Sequence, residues 1–386
     1  MTKVSLFLDV FPPPFIGGAE KSSMQILQIL EEAGFEVSVH ALHSERKTDY
    51  RKVKVHRIIN LYNPFKSYAV PKIARYFWHI LNLLNIFEIF RSIFLLKEDR
   101  PELVITQNVD TWGFAPLIAS RLLKVPTIHF VRDFGAICPT RTMWSQNLNC
   151  NIACKKCRLR LKASRMFLKP DVVIFNSHFT KDHYLKQELF ALSRNVVLYP
   201  LIDTQDVLNL TMDKRTAPQE WTLGFIGRVS KEKGIEDFLW ACTQVNAIAI
   251  VAGSGDDQYI NLLKMKFPRV KFLGQLGISE FLKQVSVVVV PSLWNEPFGR
   301  IVVESCIGKI PLVVAKRGGL IESSTLFYHE NYVRFYEDRE ELMFTLSTLK
   351  NASFIEHSEF DVKGSYENFR FMEEAKFREI LHEIIP

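Results

Sequence analysis

The chain has 386 residues, more than one hydrophobic core usually organises, so two domains are expected. Its 47% apolar and 24% charged residues are the proportions of a soluble globular protein with material for two cores. The formal net charge of +7 conceals a division: residues 1–200 hold 28 lysines and arginines against 16 acids, and the remainder 21 against 26. Such asymmetry suggests that the first half faces an anionic partner, either lipid headgroups or polyanions, with a merely solvated surface as the plainer reading.

In chain order, "KVSLFLDV" (3–10) predicts a short apolar strand that runs into prolines, with no cleavage-type segment behind it. No secretory leader is expected, and the protein is read as cytoplasmic, with any contact to the inner face of a membrane peripheral. "GGAEKSSMQILQILEEAG" (17–34) has apolar residues at helical spacing and closes on Gly34. "FEVSVHAL" reads as the next strand. The most apolar stretch, 80–96, contains Asn82, Asn85, Glu88 and Arg91, too polar for a spanning helix. "ELVITQN" (102–108), "PTIHFV" (126–131) and "DVVIFNS" (171–177) are further buried strands separated by helical stretches. Repeated strand–helix units predict a parallel sheet covered on both faces.

The periodicity lapses around 200–220, a linker, and restarts with "TLGFIGRV" (222–229), "AIAIVAGSG" (247–255), "VKFLGQL" (270–276), "VSVVVVPS" (285–292) and "IPLVVAKRGG" (310–319). These runs predict a second parallel sheet, and "YENFRFMEEAKFREILHEII" (366–385) an amphipathic helix. The expected fold is α/β, with two doubly wound, Rossmann-like domains facing a cleft. The expected bounds are 1–205, 206–365, and a terminal helix 366–386 that crosses back to the first domain. Ligands in such sheets bind beyond the carboxyl ends of the strands.

Several strand ends carry the groups an anion needs. "GFIGRVSKEKG" (224–234) delivers Gly227 and Arg228 to a strand end, followed by Lys231 and Lys233. A planar guanidinium fork and compact ammonium charges suit adjacent phosphates. "VAGSG" (251–255) ends another strand in a turn at Gly253, where backbone N–H groups can approach a ligand. In "NEPFGRIVVES" (295–305) a turn precedes a helix whose first N–H groups form a ready anion site. Glu296 lies on the loop and Glu304 about two turns up the helix. A carboxylate is a bidentate acceptor for vicinal hydroxyls, so two of them flanking an anion pocket suggest a nucleotide-sugar. The plainer readings are a dipole-favoured carboxylate for Glu296 and a surface position for Glu304.

These motifs resemble those of the retaining glycosyltransferases of family 4, which have the GT-B fold. The E-x7-E element matches as "EPFGRIVVE", the Gly-Arg…Glu-Lys-Gly element as "GRVSKEKG", the glycine turn as "GSG", and the Gly-Gly-x-Glu loop as "GGAE" within "PPFIGGAE" (13–20). The resemblance implies a glycosyltransferase that moves a sugar from a nucleotide diphosphate donor to a glycan or lipid-linked acceptor with retention and without a catalytic metal. Arg228 and Lys233 would neutralise the diphosphate, and Phe298, Gly299, Arg300 and Ile301 would lie at its distal phosphate. Glu296 would hold the transferred sugar, Glu304 the ribose, and Gly17 and Gly18 would bring first-domain backbone to the phosphates. Relatives carry His-Asp before an aromatic and a Cys-Pro. "VRDFGAICP" (131–139) instead puts Arg132 at the histidine, with Asp133 after it as an acceptor-side residue. His129, three residues earlier, reads as a strand residue satisfied by packing.

Cys138, Cys150, Cys154 and Cys157 cluster as C-x11-C-x3-C-x2-C, which leaves a structural zinc or free thiols open, whereas Cys242 and Cys306 read as packing residues. "CKKCRLRLKASRMFLK" (154–169) has seven basic residues and no acid, and Tyr76, Phe77 and Trp78 interleave with bases upstream. Together they suggest docking on an anionic membrane leaflet, while nucleic acid is not an expected partner. Two other functions share this architecture: a nucleotide-sugar epimerase, and a non-catalytic nucleotide-sugar-binding protein. The base, the sugar, the acceptor and the linkage are not readable.

Overall fold

The computed structural model describes residues 2–11, 18–43, 53–55, 82–108, 111–202, 220–326, 332–351 and 362–385. Gly17, the trio Tyr76, Phe77 and Trp78, and most of the expected linker lie outside those residues. The chain divides into two compact units. The first comprises Met1–Met143, Cys150–Leu201 and Phe371–Pro386; the second comprises Trp144–Asn149 and Ile202–Arg370.

The first unit is built on a seven-stranded sheet, all of whose pairings are parallel. Its strands in chain order are β1 (Lys3–Val10), β2 (Glu36–His43), β3 (Val53–Val55), β4 (Leu103–Gln107) and β5 (Thr127–Val131), then β8 (Val172–Phe175) and β9 (Arg194–Val197). The intervening β6 (Trp144–Ser145) and β7 (Leu148–Asn149) form an antiparallel hairpin of the second unit. The spatial order is β3-β2-β1-β4-β5-β8-β9. Every residue of β4, β5 and β8 is buried, which is why these strands are nearly continuous apolar runs: helices cover both faces. The helices are α1 (Gly18–Glu32), α2 (Ile86–Asp99), α3 (Ala115–Leu123), α4 (Lys155–Phe167) and α5 (His178–Lys186). Ile26, Leu27, Ile29 and Leu30 of α1 pack on Leu6, Leu8 and Ile105, a helical stripe meeting alternate residues of the strands. Helix α2 starts where the Asn85 side chain accepts from the amides of Phe87 and Glu88, and stops at Arg100 in a left-handed conformation just before Pro101.

The second unit holds a six-stranded sheet, again parallel throughout, of β10 (Thr222–Ile226), β11 (Ile248–Ala252), β12 (Lys271–Gly274), β13 (Val287–Val290), β14 (Leu312–Ala315) and β15 (Val333–Tyr336), in the order β12-β11-β10-β13-β14-β15. Its helices are α6 (Ile235–Gln244), α7 (Asp257–Lys266), α8 (Ile278–Leu282), α9 (Arg300–Ile307), α10 (Gly319–Thr325) and α11 (Arg339–Asn351). Phe238, Leu239, Leu342 and Leu346 of α6 and α11 close over Leu223, Val287 and Val313. The chain then forms α12 (Val362–Ile384), whose Phe377, Ile380 and Leu381 are fully buried in the core of the first unit, beside Phe130 and Leu30. In each sheet the strand order reverses at the first strand, β1 or β10, the place where doubly wound folds leave a crevice beyond the carboxyl ends.

Candidate active site

In the second unit the loops leaving β10, β11 and β13 are stitched together. Beyond β10, the Gly227 amide donates to Ala252 (3.0 Å) and the Val229 amide to Ser254 (2.8 Å), holding this loop against the Gly253 turn. The chain then makes a single 3-10 turn, Lys231–Lys233, and reverses at Gly234. Gly234 has φ +69, and a Cβ there would overlap the carbonyl of Pro291 at the end of the β13 run, so only glycine lets the two loops close. The Glu232 carbonyl accepts from the amides of Leu293 (2.9 Å) and Trp294 (3.3 Å), completing the seam.

Across that seam Lys233 Nζ donates to Glu296 Oε1 (2.8 Å) and lies 5.4 Å from the Trp294 ring centroid. The Ser292 hydroxyl donates to the same oxygen, and Glu296 keeps only 8% of its surface exposed. Charges drawn this far out of water cost desolvation that attraction repays only with further hydrogen bonds, which Ser292 supplies. Glu296 is therefore not a solvated carboxylate at a helix start. Arg228 differs: more than half exposed, it pairs with Glu232 (Nη2–Oε1 3.0 Å).

The Glu296 carbonyl accepts from the Gly319 amide (2.7 Å), and the Phe298 carbonyl from the Ser323 hydroxyl (3.2 Å), so α10 fixes the Pro297-Phe298 turn from behind. Gly299, at φ +120, starts α9 without a side-chain cap, leaving the helix's first amides without an intrahelical acceptor. Arg300 and the half-buried Ile301 form its first turn, and Arg300 Nη2 lies 3.8 Å from Glu304 Oε1. Glu304 is buried and stands four residues into α9, one turn and not two; it is not a surface residue. On the other side, the Asn149 side chain of the hairpin clamps the same loop, donating to the Leu293 carbonyl (2.8 Å) and accepting from the Asn295 amide (2.7 Å). The second unit thus gathers Gly227, Arg228, Lys233, Gly253, Glu296, Phe298, Gly299, Arg300, Ile301 and Glu304 at one sheet edge. Ser292, Trp294 and Asn149 escaped the sequence reading. Ser292 had a signal, a polar residue closing the apolar run "VVVVPS"; Asn149 had none.

Gly18, Arg132 and Asp133 belong to the first unit, again at strand ends. Gly18 opens α1 and its carbonyl accepts from Ser22 (3.0 Å). One turn on, Ser23 donates to Gln107 Oε1 (2.9 Å) at the end of β4, and Arg132 Nε donates to the same oxygen (2.8 Å). Asn176 Nδ2 donates to the Arg132 carbonyl (3.3 Å). Gln107 Nε2 and Asn176 Oδ1 are buried with no hydrogen-bond partner among the described residues. Asp133 Oδ1 accepts from the Gly135 amide (2.7 Å), a local turn. His129 is buried within β5 and shares a hydrogen bond with Thr106 Oγ1 (2.7 Å). Burial pushes its pKa down to about 3, so the ring is neutral.

All six cysteines are free thiols. Among the described residues no group of three or more histidine, cysteine, aspartate or glutamate side chains is arranged to hold a metal ion, and Cys138, Cys150, Cys154 and Cys157 stand as free thiols. Burial raises the thiol pKa of Cys306 to about 12 and that of Cys242 well above the ordinary value, as befits packing residues. Among the described residues no helix is long and apolar enough to cross a membrane.

Two parallel-sheet α/β units, each with charged and glycine-bearing loops at the carboxyl edge of its sheet, make the GT-B fold. Residues 16–206 match the model "Glycosyltransferase Family 4" and residues 210–342 the model "Glycosyl transferases group 1". The chain belongs to glycosyltransferase family 4. It is 27% identical to a Klebsiella pneumoniae protein described as "Uncharacterized 42.6 kDa protein in cps region", over 88% of this chain and 92% of that one. It is 24% identical to an Escherichia coli UDP-Gal:alpha-D-GlcNAc-diphosphoundecaprenol alpha-1,3-galactosyltransferase, over 79% and 78%. Among solved structures, Anabaena Alr3699/HepE in complex with UDP and glucose superposes with a TM-score of 0.67 at 18% identity, covering 99% of this chain and 100% of that one.

Proposed function

We propose that the protein is a retaining, metal-independent glycosyltransferase that uses a UDP-sugar and extends a glycan or lipid-linked glycan. The observation that carries this reading is the Lys233–Glu296–Ser292 cluster, held against the start of α9 by the seam through Glu232 and the packing of Gly234. In this reading Arg228 and Lys233 take the diphosphate oxygens, with the amides at Phe298, Gly299, Arg300 and Ile301 on the distal phosphate. Glu296 takes hydroxyls of the transferred sugar, and Glu304, tethered by Arg300, takes the ribose. Gly227 and Gly253 provide close backbone approach, and Gly17 and Gly18 bring backbone from the first unit. Charge that develops on the departing diphosphate meets preorganised cations and amides, which lower the barrier without a metal. The acceptor hydroxyl bonds to the anomeric carbon as the bond to the diphosphate breaks on the same face, and the leaving phosphate oxygen takes the hydroxyl's proton.

The acceptor side is assigned to Arg132 and Asp133. The unmatched donor of Gln107 and acceptor of Asn176 beside Arg132 are the chemistry a sugar hydroxyl satisfies. A lipid-linked acceptor fits an anionic membrane as partner: Ile86, Phe87, Phe90 and Phe94 form an exposed apolar stripe on α2, and α4 exposes Lys155, Lys156, Arg158, Lys162 and Arg165. The relatives' names lend support, since the Escherichia coli protein acts on a diphosphoundecaprenol and the Anabaena protein holds UDP.

The test is a thermal-shift screen against UDP-, GDP-, ADP- and dTDP-sugars, followed by a transfer assay with and without chelator and a determination of product anomeric configuration. Stabilisation by UDP-sugars, chelator-resistant transfer and a retained anomer are expected. An epimerised sugar formed from donor alone would replace this reading with an epimerase, and binding without turnover on any acceptor would leave a binding protein. Salt-sensitive co-sedimentation with anionic vesicles tests the membrane arm, and its absence removes that arm alone.

A further inference from the structure

Cys154 is the N-cap residue of α4, and its side chain is exposed, whereas Cys157 sits in the first turn and is buried. Their carbonyl and amide are joined by the first bond of the helix (2.9 Å), and their sulfurs lie 3.6 Å apart. The residues between them are Lys155 and Lys156, both exposed. Cys138, buried and hydrogen-bonded to Thr140 (3.1 Å), is a neighbour of the Cys157 thiol. Cys242 and Cys306 have no such setting; each is an isolated thiol in a core.

We propose that Cys154 and Cys157 form a reversible dithiol–disulfide pair, a modification site in the first unit that takes its oxidising equivalents from a low-molecular-weight disulfide. Cys154 is the entry thiol because it alone of the pair meets solvent. The Cys154 thiolate attacks one sulfur of the small disulfide, breaking that S–S bond and expelling one small thiolate. The Cys157 thiol then gives up its proton and attacks Cys154 Sγ, expelling the second small thiolate and closing the protein disulfide. Two protein thiols are oxidised, one small disulfide is reduced to two thiols, and the two protons end on the expelled sulfurs. Closure needs a side-chain rotation that brings the sulfurs from 3.6 Å to bonding distance of about 2.05 Å, within a four-residue segment already turned in the right sense. In a reducing compartment such a bond is transient and answers to the local redox poise.

The test uses the full-length protein, reduced and freed of reductant, incubated with glutathione disulfide and reduced glutathione at graded ratios, acid-quenched, alkylated and digested. Expected is a peptide crosslinked through Cys154 and Cys157 whose yield rises with the oxidised fraction and reverses with excess reduced glutathione. C157S should trap one glutathione on Cys154, C154S should take up none in the 138–157 segment, and C138S should still crosslink. Circular dichroism checks that each variant is folded. The proposal is overturned if Cys154 and Cys157 stay fully alkylatable across the range, or if Cys138 and Cys157 crosslink in their place. It is equally overturned if the purified protein carries stoichiometric zinc that must be chelated before any of the four thiols react. None of these readouts depends on the donor or the acceptor.

Discussion

Glu296 is held by Lys233 and Ser292 in a pocket that leaves little of it in water, so its chemistry can be separated from its folding role. In the proposed assignment Glu296→Ala removes the sugar contact but none of the diphosphate ligands, so transfer should fall by roughly a hundredfold or more while UDP affinity by calorimetry changes little. Wild-type turnover would remove this role for Glu296. Lys233→Ala touches both functions: UDP affinity should drop, and stability in denaturant titrations should fall by roughly 1–3 kcal/mol, less than for a fully dry pair because 20% of the Lys233 side chain is in water. His129 gives a pH prediction. Its folded pKa of about 3 lies below its ordinary 6.5, so the unfolded chain binds the proton first. The contribution is whole above pH 6.5 and is lost as the pH falls toward 3, at up to about 1.4 kcal/mol per pH unit. His129→Gln, which keeps a hydrogen-bond partner for Thr106, should flatten the wild-type decline of melting temperature in that window.

At the level of elements, the loops matter more than the strands they leave. Gly234→Ala should destabilise the second unit by on the order of 3 kcal/mol, since both the positive φ and the Pro291 carbonyl oppose a Cβ; a melting temperature equal to wild type would refute the packing argument. The strands at the centres of the two sheets were legible because both their faces are dry, so each is a continuous apolar run such as "VVIF" or "VVVV". β9 and β15 were not, because each is a short edge strand that turns an arginine, Arg194 or Arg334, to solvent. The glycine and charge spacing of the β10 and β13 loops made most of the candidate site readable as motifs. What spacing cannot convey is a contact between distant segments: Asn149 reaches Leu293 and Asn295, and Ser23 reaches Gln107, with no local pattern to mark either. The burial of Glu304 was not legible either, because it depends on what packs over the first turn of α9, which no periodicity reports.

At the level of the whole molecule, two cores share one chain unevenly, because α12 belongs to the second unit up to Arg370 and to the first from Phe371 on. Deleting 371–386 strips Phe377, Ile380 and Leu381 from the first core, each worth roughly 1.5–3 kcal/mol of burial. In calorimetry the transition of the first unit should shift down or vanish while that of the second stays. A uniform shift of both would count against the assignment. The same arrangement sets a timetable for synthesis. Emerging from the ribosome at about 5–20 residues per second, the strands of the first unit are made early but wait tens of seconds for the segment that seals their apolar face. During that interval the amino-terminal half of the nascent chain presents Leu30, Phe130 and their neighbours uncovered, and is the natural client of a holding chaperone.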